Sequence, residues 1–211
     1  MNELVVKKIV KNQKKIFANI KPESIAVYLF LKNEYKRGDV KNNLLFQFVF
    51  RSYYRLDSAG LSDRQKIKYF ELLASHKNHL KIILNDLYKL KDLQNKNKVQ
   101  FSFATKLLHT LDNNEPIFDA EVSRVFPKSK PEGKRKKKIE SCPIKYGILK
   151  DTYSSLLQDE RIKKIILEFR STFNVRNKNK MSDVKVLDFI IWSLGKLNKK
   201  KLKAIKKKKV I

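Results

Sequence analysis

The sequence predicts an all-α protein. Apolar residues recur at intervals of three and four along nearly the whole chain of 211 residues, whereas strand-like alternation is rare. Five glycines and five prolines are the main interruptions of this pattern. Because 42% of the residues are hydrophobic, the chain can bury a substantial core. We therefore expect about nine helices packed in a single compact domain.

Start and stop signals locate the helices of the first half. The first is expected from about Glu3 to Asn19, and the second from Pro22, at a first-turn position, to near Gly38. The next four helices are expected at NNLLFQFVFRSYYRL, DRQKIKYFELLAS, HLKIILNDLYKL and SFATKLLHTL. Ser62 is expected to cap the helix DRQKIKYFELLAS, the fourth of the chain.

The second half is expected to hold a short helix after Asp119, the helices IKYGILKDTYSSLL and ERIKKIILEFRSTF, and a last helix that Ser182 caps and Gly195 closes. Residues 127–138 (PKSKPEGKRKKK) are expected to form a charged loop between an N-terminal bundle and a C-terminal helical part. Residues 1–196 would then form the domain and residues 197–211 a basic C-terminal tail, which contains KKKLKAIKKKK.

Charge is the dominant feature of the composition. The 49 Lys and Arg residues outnumber the 21 Asp and Glu residues and give a formal net charge of +28 at pH 7. Such an excess keeps a polyanion close and raises its encounter rate. Nucleic acid is the expected partner, with an anionic membrane surface as the second choice. Lysine-rich proteins without a specific site are the alternative.

Several functional classes are excluded by what the sequence lacks. Cys142 is the single cysteine, so the chain cannot form an internal disulfide, a cysteine-based zinc site or a cysteine-held iron–sulfur cluster. The three histidines follow no ligand pattern, and we expect no metal and no cofactor. The N-terminus is too charged for a signal peptide, and nothing approaches the ~18 apolar residues of a membrane span. We expect a monomer in the bacterial or phage-infected cytoplasm, associated with the nucleoid.

The segment EPIFDAEVSRVF, residues 115–126, predicts a turn followed by a short helix. Pro116 fixes φ before the chain continues, and the apolar residues after it mark one helical face. Asp119 lies at the helix start, beside core-facing residues. A carboxylate in this position is either an N-terminal cap or a catalytic group held against apolar walls.

Residues 102–126, SFATKLLHTLDNNEPIFDAEVSRVF, resemble the active-site segment of the helix-hairpin-helix DNA glycosylases, and around the aspartate they resemble the adenine-mismatch members. FVFRSYYRLDSAGLSDRQKIKYFELL is similar to the early helices of that family. MSDVKVLDFIIWSLGKL is similar to the closing helix of the compact 8-oxoguanine glycosylases of archaea. The resemblance covers residues 42–126 and the last helix. It implies a two-lobed helical bundle with Asp119 on the floor of a cleft that faces double-stranded DNA.

The chain departs from the family at the hairpin. A glycine-containing hairpin such as LPGVG is expected, but the sequence reads NKNKVQF. Those glycines let the backbone approach a DNA phosphate. The resemblance therefore implies a degenerate hairpin, in which the phosphate contact is lost or is made by Lys96 or Lys98.

The resemblance also implies catalytic roles. Asp119 would stabilise the positive charge that develops on the deoxyribose when the N-glycosidic bond breaks. Ser102 stands where many members have a nucleophilic lysine, so a monofunctional enzyme is expected, because a hydroxyl cannot form an imine. Lys106 lies one turn further on and is either a substitute nucleophile or a lysine snorkelling from an apolar helix. His109 lies on the same helical face. It is either a DNA contact and proton shuttle or a half-buried histidine.

Further residues are candidates for contact with DNA. Tyr53, Tyr54 and Arg55 lie where the family places a wedge and pocket residues, although simple core packing explains the tyrosines equally well. Arg124 belongs to the aspartate motif. Lys128, Lys134 and Arg135 follow it in the basic loop, where they either reach phosphates or form a solvated charge run. Phe189 and Trp192 are expected to pack the last helix.

These features together predict a DNA glycosylase that excises a modified or damaged base, with 8-oxoguanine as the default substrate by analogy. The alternative is a non-catalytic protein that binds DNA or RNA on a glycosylase-like scaffold. The missing hairpin glycines favour this second interpretation.

Overall fold

The residues that the structure describes fold into ten α-helices and contain no strand, which confirms the all-α prediction. The structure is a computed structural model that describes residues 2–175 and 181–208. The helices are α1 (Asn2–Ala18), α2 (Pro22–Arg37), α3 (Leu44–Tyr54), α4 (Asp63–Ala74), α5 (Leu80–Tyr88), α6 (Phe101–Leu111), α7 (Ala120–Val125), α8 (Arg135–Gln158), α9 (Glu160–Thr172) and α10 (Asp183–Lys208). Short 3-10 turns occur at Asp57–Ala59 and Pro127–Ser129.

Local signals set most helix ends. Pro22 begins α2, and Gly38 follows its last residue with a positive φ of 82°. Ser62 and Gln65 form a reciprocal capping box at the start of α4. The Ser182 hydroxyl accepts the backbone N–H three residues later at 3.1 Å. The caps predicted at these positions are confirmed.

The prediction that Gly195 closes the last helix is wrong, because α10 continues to Lys208. Gly195 instead lies where α10 crosses α7. A Cβ atom there would lie 2.3 Å from the backbone oxygen of Glu121, so only glycine permits this approach. The predicted basic tail continues α10 through Lys208; residues 209–211, and the side chains from residue 200 onward, lie outside the described residues.

The basic loop is shorter than predicted, because residues 135–138 form the first turn of α8. The loop proper comprises the 3-10 turn at Pro127–Ser129 and the residues up to Lys134.

Two groups of helices share one hydrophobic core. In the first group α3 packs on α2, and α4 and α6 pack on α5 and on each other; in the second, α1 packs with α8, α9 and α10, while α7 packs on α10. Phe50 joins α3 to α4 through Tyr69, with ring centroids 5.7 Å apart. Phe169 joins α9 to α1 through Phe17 at 5.7 Å. None of the described helices is long and apolar enough to cross a membrane.

Candidate active site

A cavity of about 180 Å³ lies where the two groups of helices meet. Its apolar walls come from the α1–α2 junction, α7 and α10. Its polar and aromatic lining residues are Ser24, Tyr53, Tyr54, Arg55, Lys106, Asp119, Lys185, Asp188, Phe189 and Trp192. The structure thus brings together five of the candidate residues, from the end of α3, the middle of α6 and the start of α7.

Asp119 is both a helix cap and a lining residue of the cavity. Its Oδ1 atom accepts the backbone N–H groups of Glu121 at 2.8 Å and Val122 at 2.9 Å. No described residue donates a hydrogen bond to the other oxygen, Oδ2. Burial raises the pKa of the Asp119 carboxyl group, although the two backbone hydrogen bonds and the charge of Lys106 oppose that shift. The two interpretations of this residue are therefore compatible.

Contacts on both sides hold the Asp119 carboxylate in place. Before it, the Phe118 backbone N–H donates to the Thr105 hydroxyl of α6 at 3.0 Å, and the Tyr146 hydroxyl donates to the Pro116 carbonyl at 2.9 Å. After it, α7 rests directly on α10 at Gly195. The backbone around the carboxylate is thus fixed by three separate helices.

Lys106 is a buried amine in the same cavity. Its side chain is 9% exposed, and Nζ donates to the Tyr54 carbonyl at 2.9 Å. Nζ also lies 4.7 Å from the centroid of the Phe103 ring. Burial lowers the pKa of Lys106 to about 8; the charge of Asp119 opposes this shift and that of Arg55 adds to it. With this pKa, roughly one amine in ten is unprotonated at pH 7.

Lys185 and Asp188 form a buried ion pair that the sequence analysis did not identify. Nζ lies 2.9 Å from Asp188 Oδ2, and the two residues are 3% and 5% exposed. The Tyr153 hydroxyl donates weakly to Asp188 Oδ1 at 3.4 Å, and Lys185 Nζ lies 4.8 Å from the Tyr28 ring centroid. The sequence signal was available: two charged residues three positions apart in the otherwise apolar segment VKVLDFIIW.

Aromatic side chains form much of the cavity wall. Tyr54 packs on Phe50 with ring centroids 4.6 Å apart, as the core-packing interpretation predicts, and it also lines the cavity. Its contact with a base stays a prediction. Phe189 packs on Phe169 as expected, at 6.1 Å. Trp192 lies half-buried against the cavity, with Lys196 Nζ 3.8 Å from its ring centroid. Trp192 was expected to pack the last helix, and the structure places it at the cavity as well.

Ser102 and His109 do not line the cavity. Ser102 is half-buried at the start of α6, and its carbonyl accepts the Thr105 hydroxyl at 3.0 Å. His109 is fully buried, with Nδ1 2.7 Å from the Glu115 carbonyl. Burial lowers the pKa of His109 well below its ordinary value, so the imidazole is neutral. This placement leaves His109 no surface for contact with DNA.

The segment that replaces the hairpin is organised by Asp92. Its Oδ1 atom accepts the backbone N–H groups of Gln94 and Lys96, each at 2.9 Å, and its Oδ2 atom lies 2.6 Å from Lys98 Nζ. The hydrogen bond from Lys98 is the largest cause of a lowered Asp92 pKa. A carboxylate of the chain itself thus occupies backbone donors in this turn, and Lys98 is paired with it. Lys96 is exposed.

The other candidate contacts lie outside the cavity. Arg124 forms an ion pair with Glu121 on α7. Lys128, Lys134 and Arg135 are exposed on and just after the basic loop. No group of three metal-ligating side chains occurs in the part of the chain that the structure describes.

Comparison with protein-family models, with curated proteins and with solved structures gives no match for this chain.

Proposed function

We propose that the protein is a DNA N-glycosylase that binds a modified base in the cavity and breaks its N-glycosidic bond with the help of Asp119. One observation carries this proposal: the cavity combines a fixed carboxylate, a buried amine and aromatic walls in about 180 Å³. The carboxylate and the aromatic walls match requirements of base excision, and the amine would serve a lyase route. The sequence resemblance names the same aspartate.

Asp119 would stabilise the positive charge on the deoxyribose as the base leaves. An enzyme gains most from a charge that is already oriented before the transition state forms. The two backbone N–H groups on Oδ1 hold this carboxylate in place, while Oδ2 receives no hydrogen bond from the described residues. That oxygen is available to face the sugar or to orient an attacking water molecule.

The cavity is suited to an extruded base. Enzymes that act on a base inside a duplex flip it into a pocket and read it by stacking and by hydrogen bonds. Cavities of about 150 Å³ hold a benzene ring, so the present volume accommodates an aromatic ring. Tyr53 and Trp192 would stack on the base, and Lys185 with Asp188 would offer a donor and an acceptor to its edge. We propose 8-oxoguanine as the first substrate to test, by analogy alone.

Two routes are open for attack on the sugar. Ser102 at the usual lysine position favours hydrolysis, in which water attacks and an intact abasic strand is released. The position of Lys106 in the cavity favours a second route, in which the free amine attacks C1′ and the base departs with a proton. The C1′–O4′ bond then opens, O4′ takes up a proton from solvent, and an imine links enzyme and sugar. The pKa of about 8 makes the free amine accessible near neutral pH.

A non-catalytic DNA- or RNA-binding protein is the second candidate function. The observation that favours it is the Asp92 turn, because Asp92 occupies backbone donors in the segment where the family's hairpin contacts a phosphate. A protein with this scaffold but without that phosphate contact would retain the cavity and bind nucleic acid without turnover.

Turnover separates the two candidates. The full-length protein is incubated with duplexes that each carry one modified base, and alkali then cleaves any abasic strand. We expect cleavage at one modified base and none on undamaged DNA. Binding to every duplex without cleavage of any would overturn the glycosylase proposal and leave the binding protein. Borohydride in a parallel reaction traps an imine, and an adduct that disappears in Lys106→Ala but persists in Ser102→Ala would establish the amine route.

A further inference from the structure

The exposed face of α1 carries a strip of five lysines. At 3.6 residues per turn they fall on one side of the helix, opposite its buried residues. The strip consists of Lys7, Lys8, Lys11, Lys14 and Lys15, all exposed, and we call it the lysine strip. The buried residues opposite are Val5, Val6, Ile9 and Ile16.

The charges of the lysine strip are largely uncompensated within the protein. Lys7 lies 3.7 Å from Glu3, and the other four form no ion pair with any residue that the structure describes. At 1.5 Å per residue the strip is about 12 Å long. Like charges held this close repel one another, and a polyanion laid along them would relieve that repulsion.

The lysine strip leads towards the cavity. α1 ends at Ala18, and Ile20 and Ser24, just beyond it, line the cavity wall. The junction is fixed to α10, because Asn19 donates to the Ser193 hydroxyl at 3.1 Å, next to the cavity residue Trp192. Lys15, the last lysine of the strip, therefore lies five residues along the chain before Ile20, a residue of the cavity wall.

We propose that the lysine strip binds the phosphate backbone of the DNA whose base enters the cavity. This inference rests on the proposed function and adds a contact surface to it. One strand carries a phosphate per 3.4 Å of helix axis, so a strip of about 12 Å can engage roughly three phosphates. The strip would supply backbone contact that the Asp92 turn, with its donors already occupied, does not provide.

Nucleic acid fits the lysine strip better than a membrane surface does. A helix that lies on a membrane inserts an apolar face between the lipid headgroups. The apolar face of α1 is buried against the rest of the protein. Leu4 and Val10 are the large apolar side chains that α1 exposes, which is too little for such insertion.

The test compares two triple variants of equal charge. Lys8, Lys11 and Lys15 are changed to Gln in one, and Lys77, Lys81 and Lys91 in the control. The control lysines are exposed beside and on α5, no residue of which lines the cavity. Affinity for a short undamaged duplex is measured over a range of salt concentrations. The strip variant should lose about tenfold to a few hundredfold in affinity at low salt, and the slope of log K against log salt should fall by about two to three.

The control variant should keep most of its affinity, and Lys→Arg changes at the three strip positions should preserve binding, because they retain the charge. Equal losses in both Gln variants would overturn the inference in favour of diffuse attraction by net charge. An unchanged strip variant would also overturn it. So would loss of binding to phosphatidylserine vesicles without loss of binding to DNA.

Excision is measured separately on the same proteins. If no modified duplex is cleaved but the strip variant still loses its affinity for DNA, the glycosylase proposal falls and the lysine strip stands. If cleavage occurs and the strip variant binds DNA normally, the lysine strip proposal falls and the glycosylase proposal stands.

Discussion

Asp92 and Asp119 both accept backbone hydrogen bonds at a turn, but the Asp92 carboxylate lies beside a cation whereas the Asp119 carboxylate is buried. Each uses one carboxylate oxygen to accept two backbone N–H groups at a turn. The second oxygen of Asp92 lies 2.6 Å from Lys98 Nζ, and the pKa of Asp92 is lowered. The second oxygen of Asp119 receives no hydrogen bond from the described residues, and burial raises the pKa of that carboxyl group.

The difference shows that a cap pattern alone does not decide the role of an aspartate. The free energy of the Asp92 carboxylate is already lowered by a neighbouring cation, so it has little to gain from a further positive charge. The Asp119 carboxylate is fixed but poorly solvated, and a cationic sugar would stabilise it. The surroundings of the second oxygen therefore distinguish Asp92, which is paired with a cation, from Asp119, to which we assign the proposed catalytic role.

The largest expected effect is that of Asp119→Asn on base excision. An asparagine retains the cap, because its side-chain oxygen also accepts backbone N–H groups, but it carries no charge. We expect the excision rate to fall by about 10²–10³, with unchanged or improved DNA affinity. The melting temperature should not fall, because burial disfavours the charge that is removed. Single-turnover cleavage of the preferred duplex measures the rate. Asp92→Asn is the matched control, and near-normal excision by Asp119→Asn would reduce Asp119 to a cap.

Lys106→Met should raise stability at neutral pH. The buried ammonium group disfavours folding wherever it is charged, because its pKa falls from 10.5 to about 8. At about 1.4 kcal/mol per pH unit this amounts to about 3 kcal/mol, less the hydrogen bond to Tyr54. We expect a net gain of about 1–3 kcal/mol at pH 7.

The sign of the pH dependence is fixed by linkage. Between pH 8 and 10.5 the unfolded chain holds a proton on Lys106 that the folded protein has released, so wild-type stability rises with pH in this window. The advantage of Lys106→Met should therefore shrink from pH 8 to pH 10.5. Urea unfolding at several pH values provides the measurement, and a constant difference would contradict the burial argument.

Gly195→Ala tests whether the position of Asp119, rather than its charge, matters. The new methyl group would lie 2.3 Å from the Glu121 carbonyl oxygen, so α7 and α10 must separate. We expect a loss of about 1–3 kcal/mol in stability and a fall in excision rate larger than the unfolded fraction explains. Gly147→Ala, where an added Cβ meets nothing within 4 Å, is the control. Equal behaviour of the two variants would refute the close-packing argument.

Asp92→Asn should have the smallest effect. The variant keeps the two backbone hydrogen bonds and loses the ion pair with the exposed Lys98, so the melting temperature at pH 7 should fall only slightly. Because the pKa of Asp92 is lowered in the folded protein, its stabilisation is present above the ordinary pKa of an aspartate and is lost as the pH falls through the folded value. Thermal melts at neutral and strongly acidic pH check this, and a large deficit at both would assign Asp92 another role.

Local chemistry made much of the fold predictable from the sequence. Pro22, Ser62 and Ser182 act within a few residues of their own positions, and the structure uses each as expected. The end of the last helix was predicted wrongly at Gly195 because a glycine near a helix end usually marks its last residue. Its actual reason is the approach of α7, which is 70 or more residues away in sequence and invisible to any local pattern.

The residues of the candidate site could be predicted only in part, because some of them are identified by a local motif and others only by long-range packing. The aspartate motif and the SYYR segment identified Asp119 and the residues from Tyr53 to Arg55 as candidates, and the structure brings them together. Lys185 and Asp188 were missed because helical periodicity assigns charged residues to a surface. Their burial becomes apparent only when the opposite helices are in place. Ser102 was a candidate because the family resemblance implied it, but the turn of α6 directs Lys106 rather than Ser102 to the cavity.

The length of α10 has a practical consequence. Its 26 residues form one continuous helix about 39 Å long, which lines the cavity between Lys185 and Trp192 and continues past Gly195 to Lys208. The far end of α10 therefore belongs to the same helix as the cavity residues Asp188 and Trp192. A label attached near that end would report the orientation of this cavity wall from a distance.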